Sequence, residues 1–571
     1  MVRTGHYAVA EQLQADGVTT IFGNPGTVEQ GFLDALGDFP SIKYILTLQE
    51  SVAIMAADAY ARATRKPAIA QIHSSPGLGN SIGALYQAMR GHSPIVVLGG
   101  DSGIRYQAMD AQMAADLVAM ARPVTKWATM VHHPTSLLRV LRRAMKVAAT
   151  PPMGPVYVCL PQDVLDDLAT EDVYASYLPG NLAFPDPASV LQAADMLRQA
   201  VSPMIFIGDG VAYSGAQAEL ARVAELLGAE VWGVDCGELN LPYDHPHWQG
   251  QTGHMFGPQS HKITIRGDIN LVVGTYMLPE VFPELGNIYA PGAKIIHIDL
   301  NPDSIAKNHA VDLGLQADPK ATLQALVIAL EERLSIENRA EAGKRANALV
   351  LAKAKRLSLE LEVDAQRTLQ QKVDAPLSFA TFMSELATRL PSDAVIFDEA
   401  LTNSPALTRH CPPRQVGAFF QTRGGSLGSG LAGGLGLKVA FPHKPVLAFS
   451  GDGGAMYVIQ SLWSAVRHDL DVKFIICNNS SYRLLQLNIQ QFWLEQDIPK
   501  RAFPLSFDLS YPPLHFEVMA KSMGMEALRI QTVDQIGPAI EVALAHRGPF
   551  LLDVVIEGDV HPELIGVHCG Q

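Results

Sequence analysis

The chain has 571 residues, 48% of them hydrophobic, and a formal net charge of −14 at pH 7. That length exceeds what one core fills and predicts about three domains. The acidic balance, with no long basic run, excludes nucleic acid and anionic membrane surfaces as partners. No stretch of 18 or more apolar residues occurs, and Met1-Val2-Arg3-Thr4-Gly5-His6 lacks an apolar signal core. Cys159, Cys236, Cys411, Cys477 and Cys569 are scattered and form no CxxC, which argues against a disulfide framework or a zinc site. A soluble cytoplasmic protein is expected.

Strands and helices alternate along the chain, which predicts an α/β fold of parallel sheets. A first unit, residues 1–180, has apolar strands at Thr19–Phe22, Lys43–Leu48, Ala68–His73, Ile95–Gly99 and Val156–Cys159. Glu50 follows the second strand and precedes an apolar helix from Ser51 to Arg62. A partly desolvated carboxylate there suits a helix-start acid and a catalytic acid equally well. His73 ends the third strand, where an imidazole could move a proton near neutrality or simply fill a turn. A Pro/Gly-rich linker, Leu178-Pro179-Gly180 and Phe184-Pro185-Asp186-Pro187, opens a second unit at 181–345. Its strands are Pro203–Gly208, Glu230–Val234, Asn270–Val273 and Lys294–Asp299. The Lys/Arg/Glu/Ala-rich stretch from Leu334 to Glu362 reads as a solvated helix, and 346–377 as a helical connector. The third unit, 378–571, has strands at Ala394–Asp398, Val446–Ser450, Phe474–Cys477 and Phe550–Val555.

The most specific signal lies in that third unit. Gly451-Asp452-Gly453 follows one apolar strand, a helix is expected over Ala455 to Val466, and Asn478-Asn479 ends the next strand after the 24 residues 454–477. An acid and an amide thus sit at neighbouring strand tips, where open α/β sheets bind ligands. A carboxylate, an amide oxygen and backbone carbonyls are hard ligands that suit Mg²⁺ or Ca²⁺; Mg²⁺ normally adds phosphate oxygens. Gly453 and Gly454 at a helix start let backbone N–H groups approach a diphosphate.

This motif resembles that of the thiamin-diphosphate-dependent decarboxylase and acetolactate-synthase superfamily. Phe22-Gly23-Asn24-Pro25-Gly26-Thr27, Leu48-Gln49-Glu50, His73-Ser74-Ser75-Pro76-Gly77 and Arg90-Gly91-His92-Ser93-Pro94 extend the likeness, and the order and spacing are most similar to the benzoylformate decarboxylases. The resemblance implies three doubly wound domains (pyrimidine-binding, middle and diphosphate-binding), with thiamin diphosphate and Mg²⁺ as cofactors. It implies that Glu50 hydrogen-bonds the aminopyrimidine, that Gly425 offers it a carbonyl, and that Leu427 wedges the cofactor. Asn24 and Pro25 would line its site, and Thr402, Gly453 and Gly454 would reach the diphosphate. Asp452, Asn479 and the Ser481 carbonyl would hold the metal. His73 would donate a proton and Thr27 would bind the substrate carboxylate. In such enzymes the acid and the metal motif come from different subunits, which implies a homodimer or homotetramer.

The sequence departs from that pattern in places. A second active-site histidine is expected just after Leu271-Val272-Val273-Gly274, where Thr275-Tyr276-Met277-Leu278-Pro279 stands. The pocket segment Ala111-Gln112-Met113 is polar at Gln112. The segments Tyr482-Arg483-Leu484-Leu485-Gln486 and Phe492-Trp493-Leu494-Glu495 suggest a lid or substrate wall carrying Tyr482 and Glu495, and the tail from Val560 to Gln571 could close the site. The leading expectation is a 2-oxo acid decarboxylase that gives CO₂ and an aldehyde. The alternative is a 2-hydroxyacyl-CoA lyase or carboligase that splits its substrate into a carbonyl compound and formyl-CoA. Lys262, Arg266 and Lys307 are only scattered candidates for its phosphates. An acetolactate synthase is less favoured, because its middle-domain flavin site is not recognisable here. A dinucleotide-dependent oxidoreductase is weaker still, since neither glycine cluster has the strand–GxGxxG–helix–acid pattern.

Overall fold

The computed structural model describes residues 3–178, 180, 183–253, 255–370 and 376–558. The tail from Val560 to Gln571, expected as a lid, lies outside the described residues.

Three six-stranded parallel sheets organise these residues. The first contains β1 (Thr20–Gly23), β2 (Lys43–Leu46), β3 (Ala68–Ile72), β4 (Ile95–Asp101), β5 (Trp127–Met130) and β6 (Val156–Pro161), in the order β2-β1-β3-β4-β6-β5. The middle sheet contains β7 (Pro203–Ile207), β8 (Glu230–Gly233), β9 (Trp248–Gln251), β10 (Ile269–Val273), β11 (Lys294–Asp299) and β12 (Leu313–Gln316), in the order β12-β11-β10-β7-β8-β9. The last contains β13 (Val395–Glu399), β14 (Phe419–Gln421), β15 (Val446–Gly451), β16 (Val472–Asn478), β17 (Glu526–Ile530) and β18 (Phe550–Val555), in the order β14-β13-β15-β16-β18-β17. Counted from its own first strand, the last sheet repeats the topology of the first. The middle sheet has a different order, that of the dinucleotide-binding folds.

The central strands are the apolar runs of the sequence. Ile69, Ala70 and Ile72 of β3, and Phe474, Ile475 and Ile476 of β16, are 1% exposed or less. Strands buried on both faces by crossover helices read as continuous apolar runs. The stretch after the Gly451-Asp452-Gly453 motif differs from expectation: it is not one helix. It begins at Asp452 and breaks into Asp452–Met456 and Ser461–Arg467. The long connecting helix runs Ile336–Gln370, starting ahead of the expected connector.

The outer sheets are joined by the helices Glu50–Thr64 and Ser429–Ala440. Their small residues bring the backbones close. A Cβ on Gly436 would overlap the carbonyl of Ala56. Ala53, Ala56 and Ala57 share a core with Leu431, Ala432 and Leu435. Among the described residues no helix is long and apolar enough to cross a membrane.

Candidate active site

The site residues gather at the C-terminal ends of strands beside the switch points of the two matching sheets. The first switch lies between β1 and β3, the second between β13 and β15. Non-glycine residues with left-handed backbone mark these ends: Leu48 (φ 60°) before Glu50, Ser74 (47°) after His73, Leu401 (50°) before Thr402 and Ser480 (55°) after Asn479. Such conformations cost about 1–3 kcal/mol each and concentrate where side chains must be aimed.

Glu50 is the first residue of its helix and 5% exposed. It is not the cap: the Gln49 side chain accepts the N–H of Val52 at 3.2 Å. The Glu50 carboxylate is held instead by two amides. Asn24 Nδ2 donates to Oε1 and Asn80 Nδ2 to Oε2, both at 3.0 Å. Gly77 closes over the same carboxylate, since a Cβ there would lie 3.1 Å from Oε1. Half-buried Pro25 follows Asn24 in the turn after β1.

His73 stands before the helix Ser74–Arg90, and its ring covers Gly26, the neighbour of exposed Thr27. Its Nδ1 lies 2.9 Å from Glu29 Oε2, which also accepts the Gly26 N–H at 2.8 Å. Glu29 is 5% exposed; burial raises its carboxyl pKa, and the His73 partner works against that shift. Its other oxygen, Oε1, has no hydrogen-bond partner among the described residues. The Ser75 hydroxyl donates to the Met113 carbonyl at 2.7 Å, which ties the Gln112-Met113 segment to the His73 turn. Gln112 itself is exposed.

In the last sheet, Asp452 and Asn479 come together at the adjacent ends of β15 and β16. Asp452 Oδ1 accepts the Gly453 N–H at 2.7 Å, and buried Oδ2 has no hydrogen-bond partner among the described residues. Burial pushes the Asp452 carboxyl up to about 6, against the pull of nearby backbone N–H groups. Asn479 Oδ1 accepts the Ser481 N–H at 3.0 Å, so the amide and the Ser481 backbone share one turn. Its neighbour Asn478 points inward, donating to Asp553 Oδ1 at 2.9 Å. Only one amide of the pair therefore stays at the strand tip beside Asp452. Among the described residues no three His, Cys, Asp or Glu side chains gather as a metal cluster. The set of one carboxylate, one amide and carbonyl oxygens fits a hard cation that keeps phosphate ligands.

The Tyr482 ring packs on Gly453, where a Cβ would overlap it. The helix Arg483–Glu495 continues past the 401–403 turn that carries half-buried Thr402. Glu495, at its end, is exposed and accepts Gln491 Nε2 at 2.8 Å on its own helix. Gly425 (φ 79°) has open space where a Cβ would stand, and Leu427 is half-buried. Gly454 sits just inside the short Asp452–Met456 helix.

Sequence reasoning missed Glu29, Asn80 and the inward turn of Glu399. The Gly26-to-Glu29 contact has the i, i+3 spacing of a local cap, a usable signal. Asn80 lies 30 positions from Glu50, and nothing local announces it. Glu399 ends β13, and its side chain turns into the sheet and is 1% exposed.

Two sheets of one topology, each with aimed polar groups at its switch point, define a cofactor-dependent α/β enzyme. Comparison with known proteins gives the family. The thiamine pyrophosphate enzyme domains match in order: the N-terminal TPP binding domain over 3–120, the central domain over 190–326 and the C-terminal TPP binding domain over 403–554. The chain belongs to the thiamine pyrophosphate enzyme family, and thiamin diphosphate is its cofactor.

It is 29% identical to a benzoylformate decarboxylase of Pseudomonas aeruginosa, over 97% of this chain and 99% of that one. It is equally identical, at 29%, to a probable acetolactate synthase large subunit of Methanocaldococcus jannaschii, over 97% of this chain and 92% of the other. The crystal structure of a benzoylformate decarboxylase from Polynucleobacter necessarius has the same fold, with a TM-score of 0.83 at 24% identity, covering 98% of this chain and all (100%) of the other. So does a thiamin diphosphate-dependent 4-hydroxybenzoylformate decarboxylase of Rhodococcus jostii, with a TM-score of 0.82 at 24% identity, covering 98% and 100% of the two chains.

Proposed function

We propose that this enzyme is a Mg²⁺- and thiamin-diphosphate-dependent lyase that decarboxylates a 2-oxo acid of the benzoylformate type to an aldehyde and CO₂. The observation that carries the reading is the held pair at the first switch point: Glu50 fixed by Asn24 and Asn80, and His73 fixed by Glu29. A buried carboxylate with its orientation set by two amides suits hydrogen bonding to the aminopyrimidine. An imidazole bonded through Nδ1 leaves Nε2 to exchange a proton with a reacting group.

Bound thiamin diphosphate supplies a nucleophilic carbon and a sink for the electrons released with CO₂. The chain's residues do the rest. Asp452, Asn479 and the Ser481 carbonyl hold Mg²⁺, with the unpaired Asp452 Oδ2 as the prime ligand atom. The Gly454 N–H and the Thr402 hydroxyl would hold the diphosphate, and Gly453, whose own N–H bonds Asp452 Oδ1, would turn the chain between metal and diphosphate. Gly425 and Leu427 support the ring half of the cofactor. Thr27 binds the substrate carboxylate through its hydroxyl, and His73 Nε2 delivers the proton that the aldehyde needs. Gln112 and Met113 line the substrate side, with Tyr482 and Glu495 on the opposite wall. The working unit is a homodimer or homotetramer whose sites form between subunits.

A paired assay on protein loaded with Mg²⁺ and thiamin diphosphate tests this. One arm offers aryl and alkyl 2-oxo acids and follows CO₂ and aldehyde. The other offers 2-hydroxyacyl-CoA esters and follows formyl-CoA. Turnover of aryl 2-oxo acids is expected. Turnover of the CoA esters alone would replace this reading with the lyase one, and acetolactate formed from pyruvate would replace it with a synthase.

A further inference from the structure

We infer that Glu399 is a positioning residue that sets the distance between the two loops holding the cofactor. The inference rests on the thiamin-diphosphate reading of the site. Glu399 ends β13 and five donors converge on its buried carboxylate. Oε1 accepts the N–H of Gly428 at 2.8 Å, the N–H of Ser429 at 3.1 Å and the Ser429 hydroxyl at 3.1 Å. Oε2 accepts the N–H of Gly430 at 2.8 Å and the Ser450 hydroxyl at 2.9 Å.

These donors come from two places. Four belong to the start of the helix Ser429–Ala440, directly after Gly425-Ser426-Leu427. The fifth belongs to β15, directly before Gly451-Asp452-Gly453. One carboxylate therefore joins the loop assigned to the ring half of the cofactor to the strand assigned to its metal-bound half. The fit leaves little slack at the helix start, where a Cβ on Gly430 would lie 3.0 Å from Oε2. A carboxylate is an acceptor on both oxygens. A glutamine keeps the shape but turns an NH₂ toward backbone N–H donors, so one side of the bridge becomes repulsive.

A ligand that spans both loops depends on their separation, whereas a ligand that fills one loop does not. The test measures dissociation constants by titration calorimetry for Mg²⁺–thiamin diphosphate, which spans both, and for Mg²⁺–pyrophosphate, which fills the metal half. Glu399→Gln is expected to weaken thiamin diphosphate about tenfold or more, the scale of a lost buried charged hydrogen bond, and to change pyrophosphate less than about threefold. Ser450→Ala removes a single donor and no charge. It is expected to shift thiamin diphosphate about threefold or more, with pyrophosphate unchanged. If the Glu399 variant does not fold, Ser450→Ala decides alone.

Unchanged thiamin diphosphate affinity, or equal weakening of both ligands, would overturn the inference. A wild-type protein that binds pyrophosphate but not thiamin diphosphate would instead sink the cofactor reading itself.

Discussion

Glu50 owes its orientation to residues far from it in the chain. Asn24 reaches it from the turn after β1 and Asn80 from the helix after His73. Either amide alone would leave the carboxylate free to swing about its last torsion; together they fix its plane. Glu50→Gln keeps the size but places an NH₂ against one of these amide donors. We expect it to lower kcat by at least about 100-fold, in the range that a positioned acid–base group contributes, with the melting temperature little changed. Asn80→Ala leaves the acid in place but loosely held, so a drop of roughly tenfold is expected. Steady-state kinetics beside a thermal melt checks both. An Asn80 variant as impaired as the Glu50 variant would mean that Asn80 does more than orient. The sequence announced Glu50, Asp452 and Asn479 through short motifs. It was silent on Asn80 and on the inward roles of Asn478 and Glu399, because their partners lie 30, 75 and about 30 to 50 positions away.

At the scale of elements, burial decides what could be read. The central strands are apolar throughout and were legible as such. Ala418-Phe419-Phe420 is strand-like in the sequence and forms β14; the four strands that went unrecognised, β5, β9, β12 and β17, are all sheet edges. Trp127–Met130 is half-buried along its whole length, and Leu313–Gln316 alternates between exposed and covered positions. An edge strand packs on fewer neighbours, so its composition is less constrained and its apolar signal is weak. Helix contacts were similarly hidden. Gly433, Gly434 and Gly436 suggest a poor helix by propensity, yet they form a buried one because close packing requires them. Gly436 faces the backbone of Ala56 in the helix that Glu50 begins. Gly436→Ala forces those two helices apart, and overpacking of this kind costs about 1–3 kcal/mol. Denaturant unfolding should show that loss. Weaker thiamin diphosphate binding is expected with it, because the helices begin at Glu50 and just beyond Gly425. A variant as stable as the parent would mean that the two helices can slide without strain.

For the molecule as a whole, charge and apolar surface have separate tasks. Ion pairs with at least one buried partner tie the middle sheet to the outer two. Glu238, 3% exposed, takes Arg62 and Arg65 of the first domain, while Arg423 of the last reaches Asp209 and Asp235. Breaking one partner of such a pair strands a buried charge, so these contacts hold the domains in one arrangement. Apolar surface is left over beside the site. Leu48 is 44% exposed, Tyr86 46%, Tyr457 60% and Phe492 50%. Leu48 stands two residues before Glu50, Tyr86 lies on the helix that follows His73, and Tyr457 follows the Asp452–Met456 helix. Exposed aromatic and aliphatic groups around two half-sites suit a second copy of the chain. Light scattering is therefore expected to give two or four chains per particle. Charging an aromatic that a second copy covers costs about 2 kcal/mol or more, so on that expectation Tyr86→Asp or Phe492→Asp should raise the dissociation constant about thirtyfold. Their activity should then fall on dilution and return on concentration, with the melting profile of the dilute chain preserved. A dilute monomer that retains full turnover would place both halves of the site within one subunit. Glu50 and Asp452 would then have to serve the same cofactor from a single chain.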